Sequence, residues 1–129
     1  MTPEASRYLE KARQCLSNAK AALGYGLSND AGRGAYLTVF HAAQALIFEQ
    51  TGKVAKTHQG VQSEFHRLAK SEPRIDKAFA PFLGQAYNLK AVADYETGPD
   101  SNIPLERSAA ALETATRFVA CIAELLATS

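Results

Sequence analysis

The sequence predicts an all-α protein, an up-and-down four-helix bundle with an additional short helix. Apolar residues recur at steps of three and four along most of the chain, and no segment shows the alternation typical of a strand. Within residues 35–48 the apolar side chains point all round the predicted helix, rather than along one stripe. We therefore expect this segment to be the buried central helix of the bundle.

The first two helices have clear starts and stops. The first begins after Thr2, with proline at its first position, and ends at Gly24. Its apolar positions form a bundle-type seam: Ala5, Leu9, Ala12, Leu16, Ala19 and Leu23. The second helix is expected to take a side-chain cap from residues 28–30 and to stop at Gly52.

Three further helices complete the prediction. Thr57 is expected to cap a short third helix over residues 58–70. The fourth spans about residues 75–95, and Pro81 either kinks it or marks its true start. The fifth begins at about Pro104 and has its own apolar seam: Leu112, Ala115, Val119, Ile122 and Leu126.

Size and composition limit the function classes. The chain has 129 residues, 47% hydrophobic and 21% charged, which fits a single globular domain over residues 1–129. Its net charge of +1 attracts no nucleic acid globally, so RNA binding would need a local basic patch. The chain shows no membrane-length apolar run and no secretory signal, so we expect a cytoplasmic protein. Neither Cys15 nor Cys121 has metal or redox spacing, and neither a metal nor a cofactor is predicted.

The run Lys56-Thr57-His58 is the first candidate site. If Thr57 caps a helix, the free backbone N–H groups of the first turn favour an anion, and Lys56 with a protonated His58 would add positive charge. Such a site suits a phosphate, a nucleotide or an RNA backbone. A plain helix cap with surface charges is the alternative.

His41, in the middle of the apolar segment, is the second candidate. A buried polar group without a partner costs about 1–3 kcal/mol. His41 is therefore either a hydrogen-bonded core residue or the floor of a site. Arg33 shares its helix face but lies about 12 Å away along the axis, too far for both to act in one proton transfer.

Lys90 to Tyr95, at the end of the fourth helix, form the third candidate. Asp94 in a last helical turn opposes the helix dipole, so it invites a cationic or protonated partner. His41, His58 or Lys56 would serve, and a solvated carboxylate is the alternative. By contrast, His66 has no acidic or nucleophilic neighbour at useful spacing, and we expect it on the exposed surface.

Several of these segments, taken together, resemble the HEPN domain family of prokaryotes. The resemblance rests on Phe40-His41-Ala42-Ala43, on Lys56-Thr57-His58-Gln59-Gly60 and on Ala93-Asp94-Tyr95, in family order over about two-thirds of the chain. It implies a helical bundle, usually a homodimer, often encoded beside a nucleotidyltransferase or antitoxin partner. Many members are metal-independent ribonucleases, and others only bind nucleotides or partners.

This chain departs from the nuclease members of that family. Those members carry an arginine followed by four to six residues and a histidine, whereas seven residues separate Arg33 from His41 here. Lys90 stands where relatives often have arginine, and lysine lacks the planar grip of a guanidinium on phosphate.

The leading hypothesis is therefore a module that binds a nucleotide, RNA or protein partner in a toxin–antitoxin-like system, without robust catalysis. The alternatives are a ribonuclease toxin, in which Lys90 or Arg33 steadies the scissile phosphate, and a structural dimer subunit. The candidate ligand-binding residues are His41, Lys56, Thr57, His58, Lys90, Asp94 and Tyr95. Tyr25, Leu27 and Phe118 are left over as apolar residues for a homodimer surface.

Overall fold

The computed structural model describes residues 1–128, and over that range all its regular secondary structure is helical. Its five helices are α1 (Pro3–Gly24), α2 (Ser28–Thr51), α3 (His58–Lys70), α4 (Phe79–Tyr95) and α5 (Leu105–Ala127). Four are long and α3 is short, so the predicted fold class is confirmed. Within residues 1–128, no helix is long and apolar enough to cross a membrane.

Helix α2 is the central element, and it contacts all four other helices. Val39, Ala42 and Ile47 are fully buried, and Leu46 keeps only 3% of its surface. Phe40 and Phe48 are half-buried, so one side of the helix approaches the surface. The prediction of a central helix is confirmed, with burial over most of its circumference.

A close approach of α1 and α2 explains why Gly34 lies inside a helix. A Cβ added at Gly34 would lie 2.5 Å from the Cβ of Ala19, closer than two carbon atoms can pack. Glycine costs helix stability relative to alanine, but here it lets the two backbones meet. The same helix ends at Gly52, whose φ of 72° is the left-handed conformation that glycine adopts freely.

Of the predicted side-chain caps of α2 and α3, one is confirmed and the other is wrong. Thr57 caps α3 as predicted, its Oγ1 accepting the N–H of Gly60 at 2.9 Å. The predicted side-chain cap of α2 is wrong, because residue 27 precedes the helix and no side chain caps it. Asn29 instead accepts the N–H of Ile103 at 2.9 Å, which joins the start of α2 to the segment before α5.

Helix α4 begins at Phe79, later than the predicted Ile75. Pro81 therefore lies in its first turn, where a backbone N–H has no helical partner and proline is tolerated. Of the two interpretations of Pro81, the start of the helix is the correct one. Ile75 is buried in the preceding turn, so its apolar character reflects the core rather than a helix.

The predicted seam of α5 is confirmed, but Phe118 is not left over. It is fully buried and packs between Phe65, 5.0 Å between ring centroids, and Phe79, 5.1 Å away. Such an aromatic cluster joins α3, α4 and α5. Tyr25 and Leu27 remain exposed, at 84% and 50% of their surfaces, so only these two of the three predicted residues lie on the surface.

Candidate functional site

The candidate site is built around His58, the first residue of α3. The Nδ1 of His58 lies 3.1 Å from the hydroxyl of Tyr36, and its ring centroid lies 3.9 Å from that of Tyr87. These contacts join three helices, since Tyr36 belongs to α2 and Tyr87 to α4. We call the ring pair of His58 and Tyr87 the aromatic platform.

The protonation of this group follows from its burial. Burial, and secondarily the neighbouring Tyr87, raises the pKa of Tyr36 to about 12, so its hydroxyl keeps its proton. Burial also lowers the pKa of His58, although a hydrogen bond with Gln62 opposes that shift. His58 is thus neutral near pH 7, with Tyr36 able to donate to its Nδ1. The positive charge that a protonated His58 would add to the site is therefore small near pH 7.

His41 does not join this platform. Its Nδ1 lies 2.7 Å from Oε1 of Gln44, whose Nε2 donates to the carbonyl of Ala55, also at 2.7 Å. Since the amide nitrogen of Gln44 faces a carbonyl, its oxygen must accept the Nδ1–H of His41. Burial, as the main cause, lowers the pKa of His41. Of the two interpretations, the hydrogen-bonded core residue is supported, and His41 holds the loop before α3.

Asp94 lies between two cations on the surface where α2 meets α4. Its Oδ1 accepts the Nε–H of Arg33 at 2.6 Å, and its Oδ2 lies 3.0 Å from Nζ of Lys90. The hydrogen bond from Arg33, followed by that from Lys90, lowers the pKa of Asp94. Arg33 also pairs with Asp30 at 2.7 Å.

The predicted partners of Asp94 are therefore wrong. The predicted partners were His41, His58 or Lys56. The carboxylate instead pairs with Arg33 and Lys90. Both partners were visible as charged residues on α2 and α4, but only the packing of those helices shows that Arg33 reaches Asp94.

The other predicted residues lie around this group. Lys90, which pairs with Asp94, also borders the aromatic platform. Its Nζ lies 5.8 Å from the ring centroids of both Tyr87 and Tyr95. Tyr95 is 74% exposed. Lys56 is exposed and has no ion pair within residues 1–128, and Thr57 is used as the cap of α3.

Tyr36 and Tyr87 belong to the candidate site but were not among the residues predicted from the sequence. The signal was the spacing of Tyr36 on the side of α2 that also holds Phe40, a ring 5.6 Å away. Within residues 1–128, no cluster of three or more histidine, cysteine or carboxylate side chains could hold a metal ion.

Comparison with known proteins agrees with this geometry. The family model for the HEPN domain matches residues 5–127, nearly the whole chain. The chain belongs to the HEPN domain family. Residues that carried the resemblance, His41, Thr57, His58 and Asp94, each hold a hydrogen bond in this HEPN structure.

This HEPN protein is also similar to a curated protein and to a solved structure. A Methanocaldococcus jannaschii protein named "Putative toxin MJ0605" is 33% identical over 94 residues, which cover 73% of this chain and 69% of that protein. The crystal structure of TT1696 from Thermus thermophilus superposes with a TM-score of 0.77, covering 95% of this chain and 98% of the other. At 21% identity that likeness concerns the fold alone.

Proposed function

We propose that this HEPN protein is a toxin–antitoxin-type module that binds single-stranded RNA or a nucleotide at the aromatic platform, without robust catalysis. The observation that carries the proposal is the His58–Tyr87 ring pair with the ammonium group of Lys90 beside it. Unpaired bases stack on aromatic rings, and a neighbouring cation holds the phosphate. Lys56, exposed next to the α3 cap, supplies a second cation.

The charges around Asp94 argue against robust catalysis. Arg33 is the arginine of this cluster, and its guanidinium is already paired with Asp94 and Asp30. Fast phosphodiester cleavage needs a free cation aimed at the developing charge of the transition state. Lys90 is likewise held by Asp94, and its ammonium group lacks the planar fork of arginine.

A metal-independent ribonuclease is the second candidate, and one observation favours it. Because burial lowers the pKa of His58, its imidazole is neutral near pH 7 and has one accepting nitrogen. That nitrogen, Nδ1, would act as a general base once a ribose hydroxyl takes the place of the Tyr36 hydroxyl as its donor. The candidate is testable with the same protein and RNA. Incubation with single-stranded RNA in a chelator should leave the RNA intact; rapid cleavage that is lost in His58→Ala would establish the nuclease instead.

The binding proposal is tested by titrating a fluorescent single-stranded RNA into the protein. Tyr87→Leu removes the ring and keeps apolar volume, so affinity should fall about tenfold, the loss of one stacked base. Lys90→Ala should weaken binding about fivefold through the lost phosphate contact. Lys20→Ala, an exposed lysine on α1, is the matched control and should bind like the parent. No binding by the parent would favour the structural-subunit alternative.

The partners are part of the proposal. The relative named as a toxin supports a toxin–antitoxin context, in which a nucleotidyltransferase or antitoxin partner binds this chain in the cytoplasm. Exposed Tyr25 and Leu27 support a homodimer, because large apolar side chains are usually covered. Light scattering should report twice the 13.9 kDa chain mass, and a clean monomer at micromolar concentration would refute the dimer.

A further inference from the structure

A surface groove between α3 and α4 continues from the aromatic platform. Its lining from α3 and the cap is Thr57, His58, Gln59, Gln62, Ser63 and His66, and from α4 it is Ala80, Pro81, Gly84, Tyr87 and Asn88. We call this the α3–α4 groove. No aspartate, glutamate, lysine or arginine is among these lining residues, although such residues are 21% of the chain. The groove is therefore polar without being charged.

The polar side chains of this groove have unused hydrogen-bonding capacity. Within residues 1–128, the side chains of Gln59, Ser63, His66 and Asn88 make no hydrogen bond, and Gln62 interacts only with His58. An amide both donates and accepts, so each glutamine or asparagine can pair with a complementary edge. The amides of Gln59 and Asn88, and the part of the Gln62 amide that His58 does not use, are suited to a ligand with mixed donors and acceptors.

Gly84 gives the groove its depth at the point where Gln62 lies across it. A Cβ at this position would lie 3.0 Å from the Nε2 of Gln62, tighter than ordinary packing allows. The absence of a side chain thus lets the Gln62 amide lie against the backbone of α4. Gln62 is half-buried there, whereas Gln59 is exposed at the rim.

We propose that the α3–α4 groove reads the edges of unpaired nucleobases next to the base stacked on the aromatic platform. Base edges carry donors and acceptors without net charge, which matches the amides, whereas a phosphate would require the cations that the groove lining lacks. The inference rests on the proposed RNA binding and assigns the specificity of that binding to the α3–α4 groove. RNA should be selected for being single-stranded and for its bases, because in a duplex the Watson–Crick edges are occupied by pairing and the deep, narrow major groove does not admit side chains.

The test compares equal-length single-stranded homopolymers and a duplex by fluorescence anisotropy. The parent should prefer one homopolymer over the weakest by about fivefold, and should bind the duplex at least about tenfold more weakly than that homopolymer. The double variant Gln59→Ala/Gln62→Ala should lose the preference among homopolymers while still binding them. Lys90→Ala should weaken all homopolymers equally and keep the preference, which makes it the matched control.

The outcomes separate this inference from the proposed function. Unchanged homopolymer preference in Gln59→Ala/Gln62→Ala would overturn the groove, while RNA binding itself would stand. Equal affinity of the parent for all homopolymers would overturn it as well. If the parent binds no RNA, the proposed function fails and the inference fails with it. Gln59 is exposed and Gln62 is half-buried in an open groove rather than in the core, so circular dichroism of the double variant should match the parent.

Discussion

Two polar regions lie along α4 and differ in whether their groups have partners. At the C-terminal end, the carboxylate of Asp94 is held by Arg33 and Lys90, and each of these charges has an opposite charge within 3.0 Å. In the middle of the helix, Asn88 and the facing Gln59 have no hydrogen-bond partner within residues 1–128. The first region looks like the stronger binding site from its charges, but its charges are already used.

Groups whose hydrogen bonds end within the protein hold the fold, and groups without partners are available to a ligand. Lys90 lies between the two kinds, because its partner Asp94 is exposed and a phosphate can compete with that carboxylate. His41 and Gln44 belong with the first kind, because their hydrogen bonds end on the carbonyl of Ala55. Gln59 belongs with the second, and Gln62 does so in part, because within residues 1–128 His58 is its one partner. Substitution of His41 or Gln44 should therefore change the free energy of unfolding, and substitution of Gln59 or Gln62 should change binding.

The largest effect is expected for Gln44→Ala. The substitution leaves the carbonyl of Ala55 and the Nδ1–H of His41 without partners in a half-buried place, which costs about 1–3 kcal/mol in the free energy of unfolding. Urea denaturation measures the loss. Gln59→Ala is the control and should stay within about 0.5 kcal/mol of the parent, as for an exposed residue. Equal stabilities of the two variants would break the distinction.

Asp94→Asn should tighten RNA binding, whereas the substitution of a residue in a binding site usually weakens binding. Asparagine keeps the size of the side chain but removes the charge that competes with phosphate for Lys90 and Arg33. We expect about fivefold tighter binding at low salt, with a change in stability below about 1 kcal/mol because the pairs lie at the surface. Glu10→Gln on α1 is the control for net charge. Weaker binding by Asp94→Asn would show that the carboxylate itself contacts the ligand.

Stability should fall moderately as pH drops, because burial lowers the pKa of both His41 and His58 from the ordinary 6.5. Below pH ~6.5 the unfolded chain binds more protons than the folded chain. The free energy of unfolding therefore decreases as pH falls through the folded pKa values. Above pH ~6.5 this contribution is fully present. Urea midpoints between pH 7.5 and 5.0 measure it. The double variant His41→Gln/His58→Gln should show a flatter profile than the parent.

The smallest effect is expected for Gly84→Ala. The added methyl group displaces the amide of Gln62 from the floor of the α3–α4 groove, while alanine favours the helix by about 1 kcal/mol over glycine. We expect about threefold weaker binding of the preferred homopolymer together with a higher melting temperature. A variant that is more stable and binds equally well would show that the position of Gln62 does not matter.

The fold could be predicted from the sequence because its signals are local and repeated. The seams of α1 and α5, the proline at the start of α1 and the Thr57 cap each depend on neighbours within a few residues. The errors arose where tertiary contacts replaced local ones. Ile75 is buried without being helical, and Asn29 bonds to Ile103 rather than capping its own helix.

The site could be predicted only in part, because its pairs join different helices. His58 and Lys90 were named from motifs, but Tyr87, which lies between them, was not. The pairing of Asp94 with Arg33 depends on the packing of α2 against α4, which periodicity does not give. The α3–α4 groove could not be predicted from any motif, since it consists of neutral residues that are common on exposed helix faces.

The salt dependence of RNA binding tests most directly whether neutral groups rather than charges carry recognition. The parent should release few counterions when it binds RNA, since Lys56 and Lys90 are the cations beside the platform. A plot of the logarithm of the binding constant against that of the salt concentration should have a slope between about −0.7 and −1.4, which corresponds to one or two phosphate contacts on a single strand. A slope steeper than about −3 would instead assign binding to a basic surface and rule out recognition by the neutral groups.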